Sequence, residues 1–214
     1  MQPLHFNMKH KLLAKELFLC LIATQCIGFG VVLYIRCQLG GDSLTVFLDG
    51  INQTFSLSIS FVDQILTFLF LIIAFFLQKK NVGLNTILYA FMIGTCISIS
   101  QILLNAFNIE NYSFTIKCFI IVFAQILFSF AFALLQNFKY GMSTLDALFY
   151  GIVEKYHLSY IYVHYIFDVT FFVSGYLLGG TIGIGSLFYV LSSSPLTYFS
   201  KKIIDYIIMK KQTF

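Results

Sequence analysis

Long apolar runs separated by short polar segments make up most of the chain. A helix that crosses a bilayer needs about 20 residues at 1.5 Å each, and runs of that length recur along the sequence. They predict an all-α membrane protein with six transmembrane helices. The predicted spans are 17–38, 58–77, 84–107, 114–137, 159–178 and 181–200.

Two further apolar stretches, 41–55 and 142–156, are too short to cross. Each is apolar on one side, carries charges and a glycine, and follows a glycine at Gly40-Gly41 or Gly141. Each also opens with Ser, Thr or Asp, residues that cap helix starts. We interpret both as short amphipathic half-helices that are either re-entrant or lie on the membrane surface.

An internal repeat relates the two halves of the chain at an offset of 101 residues. Each copy reads as a long helix, a half-helix and two long helices, so each crosses three times and the second copy must be inverted. The predicted organisation is a cytoplasmic segment 1–16, repeats over 17–107 and 114–206, and a cytoplasmic tail 207–214. The recurring residues are Gly40, Leu44, Gly50, Ile51, Leu57, Ser58, Val62 and Ile65, matched by Gly141, Leu145, Gly151, Ile152, Leu158, Ser159, Val163 and Ile166.

The positions of the basic residues predict the orientation, because Lys and Arg near helix ends stay preferentially in the cytoplasm. With both termini inside, 11 of the 13 Lys and Arg residues are cytoplasmic and only Arg36 and Lys117 are external. The external segments are then 36–57 and 108–113, and the cytoplasmic ones include 78–83 and 138–158.

Composition excludes several classes of protein. Hydrophobic residues make up 59% of the chain, charged residues only 10%, and the mean hydropathy is +0.87, whereas soluble domains carry about 25% charge. A soluble enzyme, a nucleic-acid binder and a disordered tail are therefore disfavoured. The five Cys include no C-x-x-C pair, which predicts neither a disulfide framework nor a zinc site.

Three ionisable side chains lie inside the predicted spans. His164 and Asp168 are four residues apart, on one face of a helix, and the repeat offset places Asp63 at the position equivalent to His164. Burying an unpaired carboxylate in hydrocarbon costs several kcal/mol. These residues are therefore candidates for binding a solute or a coupling ion. The alternative is structural: His164 bonds a backbone carbonyl, and Asp63 sits near the interface in water.

The glycines before the half-helices suggest a second candidate site. Helix N-terminal amides favour an anionic group, so Gly40, Gly41 and Gly141 mark such an end, and Arg36 could reinforce the first of them. Alternatively, Arg36 extends to lipid headgroups. Asp146 is a further candidate, and it and Asp42 could instead be helix caps.

The sequence resembles the bacterial YczE/YyaS/YitT group of integral membrane proteins over nearly its whole length. LGGTIGIGS at 178–186 is similar to that group's LGG-x-x-G-x-GT segment, with Ser186 in place of Thr, and Asp168 stands where the group often has an acidic residue. GMSTLD at 141–146 resembles a G-x-x-P-x-D pattern without its proline. The resemblance implies a multi-pass protein of the bacterial plasma membrane with a transport role and no reaction to carry over.

No P-loop, nucleophile elbow, H-E-x-x-H or G-x-G-x-x-G motif is present, so we expect no enzyme, no catalytic residue, no metal and no cofactor. The predicted function is transport or binding of a small solute in the lipid bilayer, with an anion as the candidate that the glycines suggest. Two alternatives stay open: an accessory protein that holds a membrane partner, or the substrate-binding subunit of a larger transporter. The sequence does not predict the oligomeric state.

Overall fold

The computed structural model describes the backbone of residues 3–212 and the side chains of residues 12–206. This part of the chain contains α-helices and two short 3-10 turns, and no strand. The turns are Lys79–Asn81 and Ile109–Asn111. The helices are α1 Pro3–Cys37, α2 Ser43–Phe55, α3 Ile59–Leu77, α4 Leu84–Leu104, α5 Phe114–Gln136, α6 Thr144–Tyr156, α7 Tyr160–Leu177 and α8 Ile184–Gln212.

The helix bounds follow the predicted pattern except at the two ends of the chain. The stretches predicted as half-helices correspond to α2 and α6. Helix α1 already begins at Pro3, within the predicted segment 1–16, and α8 continues through Pro195 into the predicted tail. Hydropathy marks where a helix becomes apolar, whereas good helix formers extend it: Leu, Lys, Ala and Glu near the start of α1, and Lys, Met and Gln near the end of α8. Residues 1–2 and 213–214 lie outside the described residues.

Four of the described helices are long and apolar enough to cross a membrane. Their apolar stretches are Leu12–Cys37, Ile59–Leu77, Leu84–Leu104 and Phe114–Gln136. Large apolar side chains are also widely exposed, as expected for surfaces that face lipid. These features indicate an integral membrane protein. Crossing by α7 and α8 stays a prediction, because polar residues interrupt their apolar character.

Helix α1 lies at the centre of the fold, packed between α4 and α5. Near its start, the Glu16 carboxylate accepts hydrogen bonds from Asn85 Nδ2 and Tyr140 N, both at 3.3 Å. Asn85 begins α4 and Tyr140 follows the end of α5. Helix α5 therefore runs antiparallel to α1 and α4, and we call this side of the protein the Glu16 end.

The opposite side, which we call the Arg36 end, gathers the other helix termini. Arg36 Nη1 donates to Leu104 O at the end of α4, at 3.0 Å. Helix α8 begins on the same side, because Gly185 N donates to Leu39 O at 2.8 Å. At the Glu16 end, Asn85 N donates to Tyr140 O at 2.9 Å. The first of these backbone bonds joins the start of α8 to the segment before α2, and the second joins the start of α4 to the segment before α6. The two bonds are therefore equivalent, but they lie at opposite ends of the protein.

The two half-helices are exchanged between the halves of the chain: α2 packs on α7, and α6 packs on α3. Left-handed residues follow both half-helices at an offset of 101, Ser56 with φ 55° and His157 with φ 53°. The largest difference between the two halves is the contact between their last two helices. Helix α3 packs closely on α4, whereas α7 and α8 make no comparable contact within the described residues.

The free end of α6 is joined to the end of α3 by polar contacts. Glu154 accepts a hydrogen bond from Gln78 and lies 2.9 Å from Lys80 Nζ. The Gln78 hydrogen bond and the Lys80 ammonium hold the pKa of Glu154 below its usual range. The pair is exposed, so we expect it to contribute little to stability.

Candidate functional site

A chain of three polar side chains links α7 to the start of α2. His164 Nδ1 lies 2.9 Å from Asp168 Oδ2, and Asp168 Oδ1 accepts a hydrogen bond from Ser43 Oγ. The His164 side chain is 35% exposed and that of Asp168 is 18% exposed, so the pair lies at the edge of the core and not inside it. We call these three residues the His164–Asp168–Ser43 chain.

Close packing of α2 along α7 positions Ser43. Contacts advance together along both helices, from Ser43 with Asp168 to Phe47 with Phe171, whose ring centroids are 5.5 Å apart. They continue at Gly50, where an added Cβ would lie 2.5 Å from Gly175 O. The two helices are therefore parallel neighbours. Glycine at the contact allows their backbones to approach closely.

Both half-helix starts are capped from within the protein. At α2, the Asp42 carboxylate accepts from Thr45 N at 3.2 Å and from the Thr45 hydroxyl. At α6 the arrangement is reversed: Ser143 Oγ accepts from Asp146 N at 3.2 Å and donates to Asp146 Oδ2 at 2.8 Å. Asp42 is thus the cap of α2, whereas Asp146 is the partner of a capping serine.

Asp146 has two further hydrogen bonds that connect three helices. Its Oδ1 accepts from Tyr160 OH at 2.7 Å, at the start of α7, and from Gln136 Nε2 at 3.3 Å, at the end of α5. The side chain is fully engaged, and Asp146 is only 5% exposed.

Asp63 differs from the other interior carboxylates because it lacks a complete set of partners. It is 4% exposed, and its Oδ2 has no hydrogen-bond partner among the described residues. The predicted alternative, in which Asp63 sits near the interface in water, therefore does not describe its position. An unpartnered buried carboxylate oxygen leaves desolvation uncompensated.

The interior has an excess of acidic groups. Asp42 lies within electrostatic range of Asp168 and of Asp63, and Asp146 within range of His164. We call Asp42, Asp63, Asp146 and Asp168 the interior acidic cluster. The buried polar residues of the described part include no Lys or Arg, so His164 is the basic side chain of this region. The arrangement can hold a proton or a positively charged group.

The predicted glycines serve backbone packing. Gly40 has φ +82°, and an added Cβ would lie 2.7 Å from Gly183 N, at the start of α8. Gly141 has φ +117°, and an added Cβ would lie 2.9 Å from Gly83 Cα. A side chain at Gly41 would meet Tyr34 Cβ at 2.9 Å. All three positions require glycine for conformation or space. Their role in binding an anion stays a prediction.

Arg36 is engaged at the end of α4. In addition to Leu104, it binds Asn105 Oδ1 through Nη2 at 2.6 Å and lies 3.7 Å from Glu110 Oε1. Its side chain is mostly buried. Neither predicted role, an anion site at Gly40 or contact with headgroups, anticipated these partners. By donating to Leu104 O, Arg36 satisfies a carbonyl that the last turn of α4 leaves free.

We expect Arg36→Lys to lower the free energy of unfolding by about 1–2 kcal/mol, because a single ammonium cannot replace a two-pronged guanidinium contact. The loss is measured as a lower thermal unfolding midpoint in detergent. Lys117→Gln, which changes the other basic residue predicted on this side, should cost less than about 0.5 kcal/mol. Equal losses in the two variants would show that the Leu104 and Asn105 contacts contribute little.

Sequence reasoning found the aspartates and the histidine but missed Ser43 and Tyr160 as their partners. The helix-start pattern pointed to Ser43 only as a possible cap. No signal in the sequence indicated that it would meet Asp168, 125 residues away. Among the described residues no group of three or more His, Cys, Asp or Glu side chains is arranged to hold a metal ion.

Comparison with known proteins gives a family but no activity. The model of DUF6198, a family of unknown function, matches residues 14–202. An uncharacterized protein of Haemophilus influenzae is 27% identical over 190 residues, which cover 89% of this chain and 85% of that protein. No solved structure matches the chain. Membership of the YczE/YyaS/YitT group is not shown by these matches.

Proposed function

Since the chain belongs to DUF6198, a family of unknown function, we propose its role from the site: it is a proton-coupled carrier of a small cationic or zwitterionic solute. The observation that carries the proposal is the His164–Asp168–Ser43 chain, whose partly exposed acid–base pair includes Asp168 of the interior acidic cluster. Such residues inside a membrane protein commonly mark ion and substrate pathways.

The charge of the interior favours a cation over the anion expected from the sequence. The amide ends of α2 and α6 could attract an anion, but Asp42 and the Ser143–Asp146 pair already occupy them. An anion would also meet the interior acidic cluster. A proton, an amine or the ammonium group of a zwitterion would instead reduce like-charge repulsion there.

Two inverted repeats, with all six long helices crossing the bilayer, complete the proposal. The exchanged packing of α2 and α6 and the recurring bounds of α2, α3, α6 and α7 support the repeat. The opposite directions of α1 and α5 support the inversion. Because α2 lies lengthwise along α7, we further propose that the half-helices are re-entrant. The site would then lie where the repeats meet, as in secondary transporters.

Ligand-induced thermal stabilisation of the purified protein tests the proposed binding. We would screen primary amines, zwitterionic amino acids and carboxylate anions of matched size, since a ligand that binds only the folded state raises its unfolding midpoint. We expect stabilisers among the amines and zwitterions. Stabilisation by carboxylates alone would contradict the charge argument. Stabilisation by none of the three sets would favour the accessory-protein alternative.

Cysteine labelling tests the orientation, and the residues that follow the two half-helices offer a matched pair. Ser56→Cys and His157→Cys, each made in a background without the native cysteines, change equivalent positions. We expect an impermeant thiol reagent to modify the Ser56→Cys variant from outside the cell and the His157→Cys variant only in inverted vesicles. Labelling of both variants from the same side would show parallel repeats and would contradict the inverted arrangement.

A further inference from the structure

A cavity of about 420 Å³ opens at the Arg36 end between α1, α3 and α4. Helix α1 contributes Val32 and Arg36 to its wall, and α4 contributes Ser98 and Gln101. Ile59, the first residue of α3, also lines it. The cavity has both polar and apolar walls, so it can hold water. Nothing in the His164–Asp168–Ser43 chain belongs to it.

Ser98, the cavity-lining residue nearest the middle of α4, lies one helical turn from Gly94. An added Cβ at Gly94, the central residue of Leu84–Leu104, would lie 2.7 Å from Ser60 O and from Gln64 Oε1. Gly94 N also donates to Gln64 Oε1 at 3.1 Å. The first turns of α3 therefore cross α4 near its midpoint. Asp63, between Ser60 and Gln64, lies at that depth.

Ile59 and Asp63 are four residues apart, on the same face of α3. Ile59 touches the cavity, and Asp63 lies one helical turn further from the Arg36 end. Both are almost completely buried, at 6% and 4% exposed. The cavity wall thus lies one helical turn along α3 from a carboxylate oxygen that lacks a partner among the described residues.

The groups that face Asp63 do not neutralise it. Asp42, in the connection between α1 and α2, and Tyr89 of α4 both lie within electrostatic range of Asp63. Neither side chain is basic. A carboxylate held in this setting needs a positive charge or a proton from elsewhere. The mouth of the cavity carries Arg36, whose charge is compensated by Glu110 and by the carbonyl of Leu104.

We propose that this cavity is the route by which a proton enters from the Arg36 end and binds Asp63, with Ile59 closing the inner end of the route in this structure. The inference deepens the proposed function, because it assigns the coupling proton to the first repeat and leaves the solute to the His164–Asp168–Ser43 chain. The proton joins a carboxylate oxygen; it comes from hydronium of the external solution, passed along water in the cavity, and a neutral water molecule is left behind.

Access is tested with Ser98→Cys, a small change in the cavity wall, in a background in which the native cysteines are replaced. An impermeant cationic methanethiosulfonate applied to intact cells should modify this variant, and Ile59→Cys should react more slowly. Phe61→Cys is the control. Phe61 lies in α3, as Ile59 does, but its side chain is 54% exposed on the outer surface, where a cysteine surrounded by lipid should not react with the charged reagent. Reaction of Ser98→Cys only in inverted vesicles, or at the rate of Phe61→Cys, would overturn the proposed route.

Proton binding is tested with dicyclohexylcarbodiimide, an apolar reagent that adds to protonated carboxyl groups, followed by peptide mass spectrometry. In right-side-out vesicles, labelling of Asp63 should fall as the external pH rises, and Asp63→Asn should abolish it. In the Ser98→Cys variant, prior modification of the introduced thiol should remove the dependence on external pH. Labelling that ignores external pH, or that is unchanged after this modification, would contradict the inference.

These experiments need no solute, so the two proposals fail separately. A proton response at Asp63 without any stabilising solute would refute the proposed carrier and leave the proton route standing. Solute stabilisation that depends on Asp168, while Asp63 stays unlabelled at every pH, would refute the proton route and leave solute binding at the His164–Asp168–Ser43 chain standing.

Discussion

Asp168→Asn should abolish solute-induced thermal stabilisation while changing the free energy of unfolding by no more than about 1 kcal/mol. The amide keeps the shape of the carboxylate and can still accept from Ser43, but it turns an N–H towards His164, where Oδ2 now lies 2.9 Å from Nδ1. The negative charge that stabilises a protonated histidine is also lost. Because charge-assisted hydrogen bonds contribute about 1.5–3 kcal/mol, we expect affinity to fall about tenfold or more, which removes the stabilisation at solute concentrations near the original Kd.

His164→Gln should have a similar effect, and the double variant should bind little worse than either single one, as expected for residues that act as a unit. Thr170→Val is the matched control. Thr170 lies on the exposed face of the same helix, and its hydroxyl donates to Ile166 O, one turn earlier in that helix, at 2.7 Å. If Asp168→Asn stabilised the protein and left solute binding intact, the pair would be structural and the carrier proposal would lose its principal support.

Gly175→Ala should destabilise the protein although it adds only one methyl group. An added Cβ would lie 2.8 Å from Phe47 N, from Phe47 Cα and from Val46 C. All three are backbone atoms of α2, which cannot turn aside as a side chain can. Overpacking of this kind costs about 1–3 kcal/mol, against a gain of about 0.5–1 kcal/mol from replacing glycine in a helix. Thermal unfolding in detergent measures the net loss.

Gly151→Ala provides the comparison for that substitution. Gly151 lies in the other half-helix, where an added Cβ would meet the Leu77 side chain most closely, at 3.2 Å. The nearest atom is Leu77 Cβ, and a shift of a few tenths of an ångström between α6 and α3 relieves the contact. Since alanine favours a helix by about 0.5–1 kcal/mol over glycine, we expect this variant to be close to neutral. Gly175→Ala should also weaken solute binding, because moving α2 away from α7 separates Ser43 from Asp168. Equal stability of the two variants would contradict the close packing of α2 on α7.

Much of the local architecture could be predicted from the sequence. Apolar run length placed the long helices, and the glycines with their capping residues placed α2 and α6 within two residues of their observed starts. These features depend on interactions between residues three or four apart, which a sequence displays directly. The same local rule put His164 and Asp168 on one face, where they lie in contact.

Contacts between distant segments could be predicted only in part. The offset of 101 residues related Asp63 to His164, but the two differ in surroundings: Asp63 is 4% exposed, whereas the His164 side chain is 35% exposed. The partners of Arg36 were also missed, because Leu104, Asn105 and Glu110 reach it only through the parallel packing of α1 and α4. Hydropathy does not distinguish a helix face that meets protein from one that meets lipid.

What the sequence determined by itself is the membrane character of the chain, its helices and the identity of its few interior ionisable groups. It did so because bilayer thickness and helix geometry act on consecutive residues. Only the tertiary structure decided that α2 packs mainly on α7, in the other half of the chain, so that Ser43 meets Asp168 and a cavity lies one turn from Asp63. Those contacts depend on backbone approach at Gly50, Gly94 and Gly175, whose partners lie far away in the chain.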